Sequence, residues 1–396
     1  MNGTNQIIGK GRQCALPGIH ELTKDQEEVR SLPMNGQHLV IGGPGTGKSV
    51  VALLRAQRCA REGIPYVFLI YNHLLEQASR VLYRGVEAFT WDRWFRRTIA
   101  EYSGKQCPLL TANTSNSYRE IDWERVKELE LITLSDRQAP PHVVIDEGQD
   151  MPPDFYQALI DLGFMNFYVV ADQNQQISTG RCSSRRDIER HLAIDPEQVK
   201  ELKTNHRNTH QIARLARHFY TGDPASPPPE LPDARKSVNV PEMFSYAPDS
   251  FPQILSRILK YWDHRPGHLL GIITPDDRVR SRYVEGLKHC DVTLDHPKPD
   301  IQTYSSGERN ELHFDQGGIM VINAQSCKGL EFDAVFIADI ECFYYRPNDP
   351  DVAKRLFYVM AARARRSVIM LRQAGCHCPI DPILPNDPEI LERHDP

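Results

Sequence analysis

Short apolar runs recur along the chain, and polar or glycine-rich turns follow them. The runs lie at residues 39–41, 64–71, 142–145, 167–170, 269–274, 319–322, 334–340 and 367–371. Continuous apolar runs of this length are typical of strands that are buried on both faces of a parallel sheet. Segments with helical spacing separate the runs, as the crossover connections of such a sheet require. The pattern predicts an α/β protein with mostly parallel sheets flanked by helices.

A proline-rich stretch divides the strands into two series. Residues 221–237 include three consecutive prolines and have the composition of a connector or exposed loop. We therefore predict an N-terminal domain and a C-terminal domain, each with its own sheet, and an irregular tail. The predicted boundaries are 1–205 for the first domain, with a small insertion at about 98–141, then 206–375 for the second domain and 376–396 for the tail.

One glycine-rich loop follows the first strand and leads directly into a helix. It fits the Walker A pattern G-x-x-x-x-G-K-[ST] at Gly42, Gly43, Pro44, Gly45, Thr46, Gly47, Lys48 and Ser49. A strand, a glycine loop and a helix N-terminus together allow backbone N–H groups to surround a polyphosphate. In this arrangement Lys48 reaches the β- and γ-phosphates of ATP and Ser49 coordinates Mg²⁺. The loop predicts a nucleoside triphosphate site rather than a simple turn.

Two adjacent carboxylates end the apolar run at 142–145. Asp146 and Glu147 complete a Walker B pattern, in which the first residue holds the Mg²⁺ shell and the second polarises the attacking water. Paired carboxylates at the end of a buried strand are costly without a cation, which favours metal binding over an acidic surface turn.

The composition restricts the class of protein further. The chain has 396 residues, of which 40% are hydrophobic and 25% are charged, and it has nine scattered cysteines. No apolar run is long enough for a membrane helix, and the cysteine usage is typical of a reducing compartment, so we expect a cytoplasmic protein with no membrane partner. The net charge of −5 means that any nucleic acid must bind to a local basic patch.

Several further boxes follow in a fixed order, and together they resemble superfamily 1 helicases of the UvrD/Rep type. The resembling segments are residues 146–150 (Asp-Glu-Gly-Gln-Asp), 172–177 (Asp-Gln-Asn-Gln-Gln-Ile), 205–208 (Asn-His-Arg-Asn), 323–333 (Asn-Ala-Gln-Ser-Cys-Lys-Gly-Leu-Glu-Phe-Asp) and 356–365 (Leu-Phe-Tyr-Val-Met-Ala-Ala-Arg-Ala-Arg). Gln26 fits the glutamine motif that reads adenine. The resemblance spans about residues 21–371 and implies two tandem RecA-like P-loop motor domains with ATP and Mg²⁺ in the cleft between them.

The resemblance also implies roles for residues outside the two Walker motifs. Gln175 senses the γ-phosphate, and Arg207 and Arg363 contact it as it is transferred. The remaining contacts to the nucleotide come from His206, Gly329 and Glu331, with Glu331 holding the ribose. Arginines aimed at developing phosphoryl charge are worth about 10³–10⁵ in rate.

The candidate contacts to a nucleic-acid strand are weaker than those to ATP. In the family, aromatic residues that stack on bases follow the third box, but here Ser178, Thr179, Gly180 and Arg181 follow it. Base stacking contributes about 1–3 kcal/mol per base, so its loss weakens the hold on a strand. Tyr71, Trp91 and Trp94 are the candidate replacements, although each could equally belong to the core. Ser326 is a further candidate contact to the strand.

These observations predict an ATP-dependent nucleic-acid translocase or helicase that moves along single-stranded DNA, with 3′→5′ polarity implied by the family and RNA as another possible strand. The alternative is a nucleic-acid-sensing ATPase subunit that controls a partner, such as a nuclease in bacterial antiviral defence. The inserted subdomains of the UvrD type are reduced here, which favours dependence on a partner. A small-molecule kinase is a third interpretation, but it would not need the ordered boxes around Gln175, Arg207 and Arg363.

Overall fold

The computed structural model describes residues 22–71, 74, 76–77, 85–110, 119–130, 140–175, 182–222, 227–234, 239–304, 312–314 and 316–395. The chain forms two compact units, and the division between them falls between Lys203 and Thr204. Among the described residues, no helix combines the length and the apolar character that crossing a membrane requires.

The N-terminal unit contains a sheet of six strands. They are β1 (Gln37–Gly42), β2 (Tyr66–Ile70), β3 (Ala88–Thr90), β4 (His142–Ile145), β5 (Phe167–Ala171) and β6 (Lys200–Leu202). The strands are parallel throughout and lie in the order β3-β2-β4-β5-β1-β6. The helices of this unit are α1 (Lys24–Arg30), α2 (Lys48–Glu62), α3 (Trp91–Ser103), α4 (Trp123–Lys127), α5 (Pro153–Asp161) and α6 (Arg185–His191).

The C-terminal unit contains a sheet of seven strands. They are β7 (Glu242–Tyr246), β8 (Leu269–Thr274), β9 (Ile301–Thr303), β10 (Gly318–Asn323), β11 (Phe332–Ile337), β12 (Ala364–Gln373) and β13 (Glu392–His394). Every pair is again parallel, in the order β13-β7-β12-β11-β8-β10-β9. The helices of this unit are α7 (His210–His218), α8 (Phe251–Asp263), α9 (Asp277–His289) and α10 (Pro350–Ala362).

The predicted fold class, with two parallel sheets flanked by helices, is confirmed. Every residue of β5 and of β8 is buried, which explains why these strands are continuous apolar runs rather than alternating ones. Helices pack on the sheets to complete the cores. Phe95 and Phe155 are fully buried in the N-terminal core, and Leu259 and Tyr283 are fully buried in the C-terminal core.

The tail after residue 375, predicted to be irregular, consists largely of turns but ends in a short strand that joins the C-terminal sheet. Strand β13 pairs in parallel with β7, and Ile380 and Leu391 are fully buried. The Arg372 guanidinium donates to both carboxylate oxygens of Asp381, at 2.9 and 3.1 Å. Apolar residues between the prolines anchor the tail on the sheet edge, and composition alone does not reveal this packing.

The described part of the proline-rich stretch is held against helix α7. Arg217 donates to the carbonyl oxygen of Pro229 at 2.6 Å, and the His210 ring lies 2.7 Å from the carbonyl oxygen of Pro232. Residues 223–226 and 235–237 of the predicted connector lie outside the described residues. Residues 228–234 belong to the C-terminal unit.

Candidate functional site: a phosphate loop and two sets of polar residues

The glycine loop lies between the end of β1 and the start of α2, as the sequence predicts. Gly45 and Gly47 have positive φ angles of 77° and 91°, which residues with a Cβ rarely adopt. A Cβ on Gly47 would also lie 2.4 Å from the Gln26 amide nitrogen. The loop is closed from within, because the Thr46 hydroxyl and the Lys48 ammonium each donate to the carbonyl oxygen of Gly43 at 2.9 Å. Glycine is thus required at residue 47 on two grounds, backbone angle and space.

Gln26 lies on helix α1 and braces the loop. Its amide nitrogen donates to the carbonyl oxygen of Thr46 at 2.9 Å, and its amide oxygen accepts from the backbone N–H of Thr23 at 3.2 Å. The side chain is 6% exposed. Gln26 therefore reaches the phosphate loop, while its predicted contact to adenine stays a prediction.

Ser49 and Asp146, the predicted magnesium ligands, are brought together by the ends of two different elements. Asp146 follows β4, Ser49 is in the first turn of α2, and the Ser49 side chain is hydrogen-bonded to the Asp146 carboxylate. Burial raises the pKa of Asp146 to about 6, and the neighbouring Glu147 carboxylate contributes in the same direction. Lys48 and Ser49 act against this rise. The pair Asp146 and Glu147 is only 8% and 5% exposed, so the site favours a cation.

Glu147 adopts an unusual backbone conformation at this turn. Its φ angle is 58°, in the left-handed region that a residue with a Cβ adopts at a cost of roughly 1–3 kcal/mol. The turn is held because the Tyr156 hydroxyl donates to the carbonyl oxygen of Gly148 at 2.7 Å. The Gln149 amide nitrogen also donates to the Glu147 carboxylate at 2.6 Å. These contacts fix the position of the carboxylate predicted to polarise water.

Asp172 connects the phosphate loop to the other polar residues. It follows β5, the neighbour of β1 in the sheet, and its side chain is fully buried. Its carboxylate lies 3.5 Å from the Lys48 ammonium and accepts from the Gln175 amide nitrogen at 2.6 Å. Its backbone N–H donates to the Gln149 amide oxygen at 2.9 Å. A buried network of one ion pair and two hydrogen bonds therefore runs from Lys48 through Asp172 and Gln149 to Glu147.

Asp172 and Gln149 had no predicted role of their own. Both are in motifs that the sequence contains, and both follow apolar strands at the carboxyl edge of the sheet. Polar side chains that end adjacent parallel strands meet at one sheet edge, which is the signal that could have identified them. The strand order that brings β4, β5 and β1 together was not available from the sequence.

In the C-terminal unit, Arg207 and Glu331 form an ion pair. Burial raises the pKa of the Glu331 carboxyl, but the Arg207 guanidinium outweighs this effect, and the net pKa lies below its ordinary value. Glu331 comes two residues after Gly329, whose φ angle of 77° turns the chain between β10 and β11. His206, beside Arg207, is exposed. The C-terminal unit thus contains all four of these residues, Arg207, His206, Gly329 and Glu331.

Arg363 lies at the junction of α10 and β12. Its side chain is 1% exposed, and its Nε donates to the carbonyl oxygen of Val359 at 3.1 Å. One terminal nitrogen lies 3.5 Å from the carbonyl oxygen of Leu330, the residue before Glu331. The structure thus brings Arg363 close to the segment that carries Glu331, and its contact to a phosphate stays a prediction.

The aromatic candidates for strand binding lie in or against the N-terminal core. Trp91 is 8% exposed and is stacked on Trp123, with the ring centroids 6.5 Å apart. Trp94 packs edge-on against Phe164, with the centroids 5.8 Å apart. Tyr71 also packs on this core. These contacts explain the aromatic residues without a bound strand, so their role in strand binding stays a prediction.

Two other parts of the predicted strand site have less structural context. Ser326 is half-buried in a short 3₁₀ turn directly after β10. The segment 178–181, where the family pattern is interrupted, lies outside the described residues.

The chain has two α/β units, each with a parallel sheet flanked by helices, which is the arrangement expected of two tandem RecA-like domains. Residues 318–371 match the family model of the UvrD-like helicase C-terminal domain. The resemblance to UvrD-like superfamily 1 helicases is confirmed over this segment, which runs from β10 into β12. No curated protein matches the chain.

Two solved structures give wider but weaker matches. One is the C-terminal domain of a possible DNA helicase from Lactobacillus plantarum WCFS1, with 14% identity, a TM-score of 0.35, and coverage of 47% of this chain and 97% of that chain. The other is the PRRSV helicase, with 14% identity, a TM-score of 0.37, and coverage of 85% of this chain and 52% of that chain. The match therefore spans about half the length of the PRRSV helicase.

Proposed function

We propose that this protein is an ATP-dependent nucleic-acid translocase or helicase of the UvrD type. The observation that carries most of the proposal is the buried network of Lys48, Asp172, Gln149 and Glu147. It connects a residue that binds phosphate to a residue that activates water, and a site that only binds nucleotide has no need of this connection. The UvrD-like helicase domain at residues 318–371 supports nucleic acid as the second ligand.

The assigned roles follow from the chemistry of each side chain. Lys48 and the backbone of the glycine loop bind the phosphates, and Gln26 positions the loop. Ser49 and Asp146 supply hard oxygen ligands of the type that Mg²⁺ prefers. When bound, Mg²⁺ neutralises charge on the phosphates. Glu147, oriented by Gln149, accepts the proton of the attacking water, and Gln175 senses the γ-phosphate.

The C-terminal unit contributes two arginines. Arg207 and Arg363 stabilise the charge that develops on the transferred phosphoryl group. Glu331 binds the ribose, and His206 and Gly329 complete the contacts to the nucleotide. In this proposal Arg207 exchanges its ion pair with Glu331 for the phosphate.

The test of this proposal is the effect of a strand on ATP hydrolysis. Purified wild type and Lys48→Ala are assayed with Mg²⁺, alone and with single-stranded DNA or RNA. We expect turnover that depends on Lys48 and increases several-fold with single-stranded DNA. Displacement of a protein block from either end of an oligonucleotide then reports the polarity, for which we expect 3′→5′. Turnover by wild type that no strand increases would contradict autonomous translocation.

ATP turnover that no strand increases is the result expected of a partner-dependent ATPase subunit. The packing of Trp91 and Trp94 against the core favours this alternative, since it leaves fewer aromatic faces for bases. In that case the nucleotide state controls a partner such as a nuclease. Adding the partner, rather than a strand alone, would then restore stimulation.

A further inference from the structure

Residues 205–208 form a turn that is organised by two asparagines. The Asn205 amide oxygen accepts from the backbone N–H groups of Arg207 and Asn208, each at 3.1 Å. The Asn205 amide nitrogen donates to the Asn208 amide oxygen at 2.9 Å. Asn205 and Asn208 are 4% and 6% exposed. The two side chains therefore fix the backbone from which the Arg207 side chain extends.

The Asn208 side chain also reaches the segment that carries Arg363. Its amide nitrogen donates to the carbonyl oxygens of Ala362 and Ala364, at 3.1 and 2.6 Å. Arg363 is the one residue between these two carbonyls. An amide nitrogen has two hydrogens, and both are used here, while the amide oxygen is used by Asn205. All contacts in this bridge lie within the C-terminal unit.

This bridge has a structural explanation and a functional one. The last carbonyls of a helix have no partner within the helix, so a donor at the end of α10 satisfies one of them. Capping the helix, however, requires a hydrogen bond to only one of the two carbonyls, and any neighbouring donor could make it. Here a single side chain spans Arg363 and belongs to the turn that presents Arg207. The bridge therefore links the backbone positions of the two arginines assigned to the phosphoryl group.

We propose that Asn208 is a positioning residue for ATP hydrolysis, which sets Arg363 relative to Arg207 so that the two act as one unit. The inference rests on the proposed function, because it concerns those arginines. A misplacement of about 1 Å can cost about 10²-fold in rate. Asn208 touches no nucleotide in this account and acts only through the backbone on either side of Arg363.

The test is a double-mutant cycle on ATP turnover, measured with the full chain. We expect Asn208→Ala to lower kcat by about ten- to a hundredfold and to change the KM for ATP by less than about threefold. In an Arg363→Ala background the same substitution should lower kcat by less than about threefold, because the residue that it positions is absent. If Asn208→Ala does not fold, Asn208→Ser enters the same cycle, since its hydroxyl can still donate to one of the two carbonyls.

Thr209→Ala is the matched control. Thr209 is the next residue, and its hydroxyl accepts from the backbone N–H of Ile212 at 3.4 Å to cap helix α7. It should lower the unfolding temperature and leave kcat unchanged, which separates loss of stability from loss of positioning.

Three outcomes would overturn the inference. Equal losses of kcat with and without Arg363 would show that Asn208 does not act through it, and an unchanged kcat in Asn208→Ala would show that it is only a cap. In both cases wild type still hydrolyses ATP, so the proposed function survives. No Lys48-dependent turnover by wild type would remove the proposed function and this inference together.

Discussion

Asp146→Asn should make the metal-free protein more stable at neutral and alkaline pH, although it removes a proposed magnesium ligand. In the folded chain burial and the Glu147 carboxylate raise the pKa of Asp146 to about 6, against an ordinary value of 3.8. Folding therefore favours the protonated carboxyl. A carboxylate that must ionise in this site opposes folding, and the asparagine side chain carries no such charge.

The size and the sign of the effect follow from linkage. At 1.36 kcal/mol per pH unit, the difference between the pKa of Asp146 in the folded chain and its ordinary value corresponds to about 3 kcal/mol. The folded state binds more protons between the two pKa values, so stability falls as pH rises from about 4 to about 6. The full cost of an ionised Asp146 in the folded state is present above pH 6. We expect the free energy of unfolding of the variant to exceed that of wild type by about 3 kcal/mol at pH 8 and by about half of that at pH 5.

The assay is urea unfolding in EDTA, followed by tryptophan fluorescence. Trp91, Trp94 and Trp123 lie in the N-terminal unit, so the signal reports mainly on the unit that contains Asp146. Adding Mg²⁺ should stabilise wild type and leave the variant unchanged. Asp187→Asn is a control of opposite sign in the same unit, because hydrogen bonds from the backbone N–H and the hydroxyl of Ser184 outweigh burial and lower the pKa of Asp187, so its loss should destabilise the protein at pH 8. Equal or lower stability of Asp146→Asn at pH 8 would refute the reasoning.

Four further substitutions test other parts of the site. Glu147→Gln should abolish ATP turnover while titrations with a fluorescent ATP analogue still show binding; normal turnover would reassign the base. Gly148→Ala should destabilise the N-terminal unit by about 1–3 kcal/mol, because its Cβ would lie 2.3 Å from a Val169 methyl carbon. In urea unfolding, adding Val169→Ala to Gly148→Ala should relieve part of that cost. If the destabilising effects of the two substitutions simply add, the clash is not its cause. Arg363→Ala should slow single-turnover hydrolysis by about 10³-fold or more with little change in ATP affinity, and a loss confined to affinity would remove its role at the transition state.

The sequence was sufficient for the parts of the fold that local chemistry determines. The loop from Gly42 to Ser49 and the carboxylates Asp146 and Glu147 lie at strand ends as predicted, because continuous apolar runs and glycine loops are local signals. Strands β8, β10, β11 and β12 also match predicted runs. The backbone strain at Glu147 was not predictable, since contacts from distant residues impose it.

The missed features depend on long-range pairing. Strands β6, β9 and β13 have three residues each, too few for a periodic signal. Asp172 joins Lys48 only because β5 and β1 are neighbours in the sheet, and sequence spacing does not encode strand order. The same limit applies to Trp91, whose ring pairs with Trp123 from a separate helix. Aromatic residues in a motif could equally serve a core or a ligand.

The most direct test of the central claim is steady-state ATP hydrolysis by wild type and by Lys48→Ala, measured as phosphate release in the same buffer with Mg²⁺. Lys48 is the residue through which the buried network meets the phosphate loop. The account predicts turnover by wild type that Lys48→Ala abolishes while the variant keeps its fold. A properly folded wild type that hydrolyses no ATP even with single-stranded DNA, or a Lys48→Ala variant that hydrolyses ATP at the wild-type rate, would contradict it.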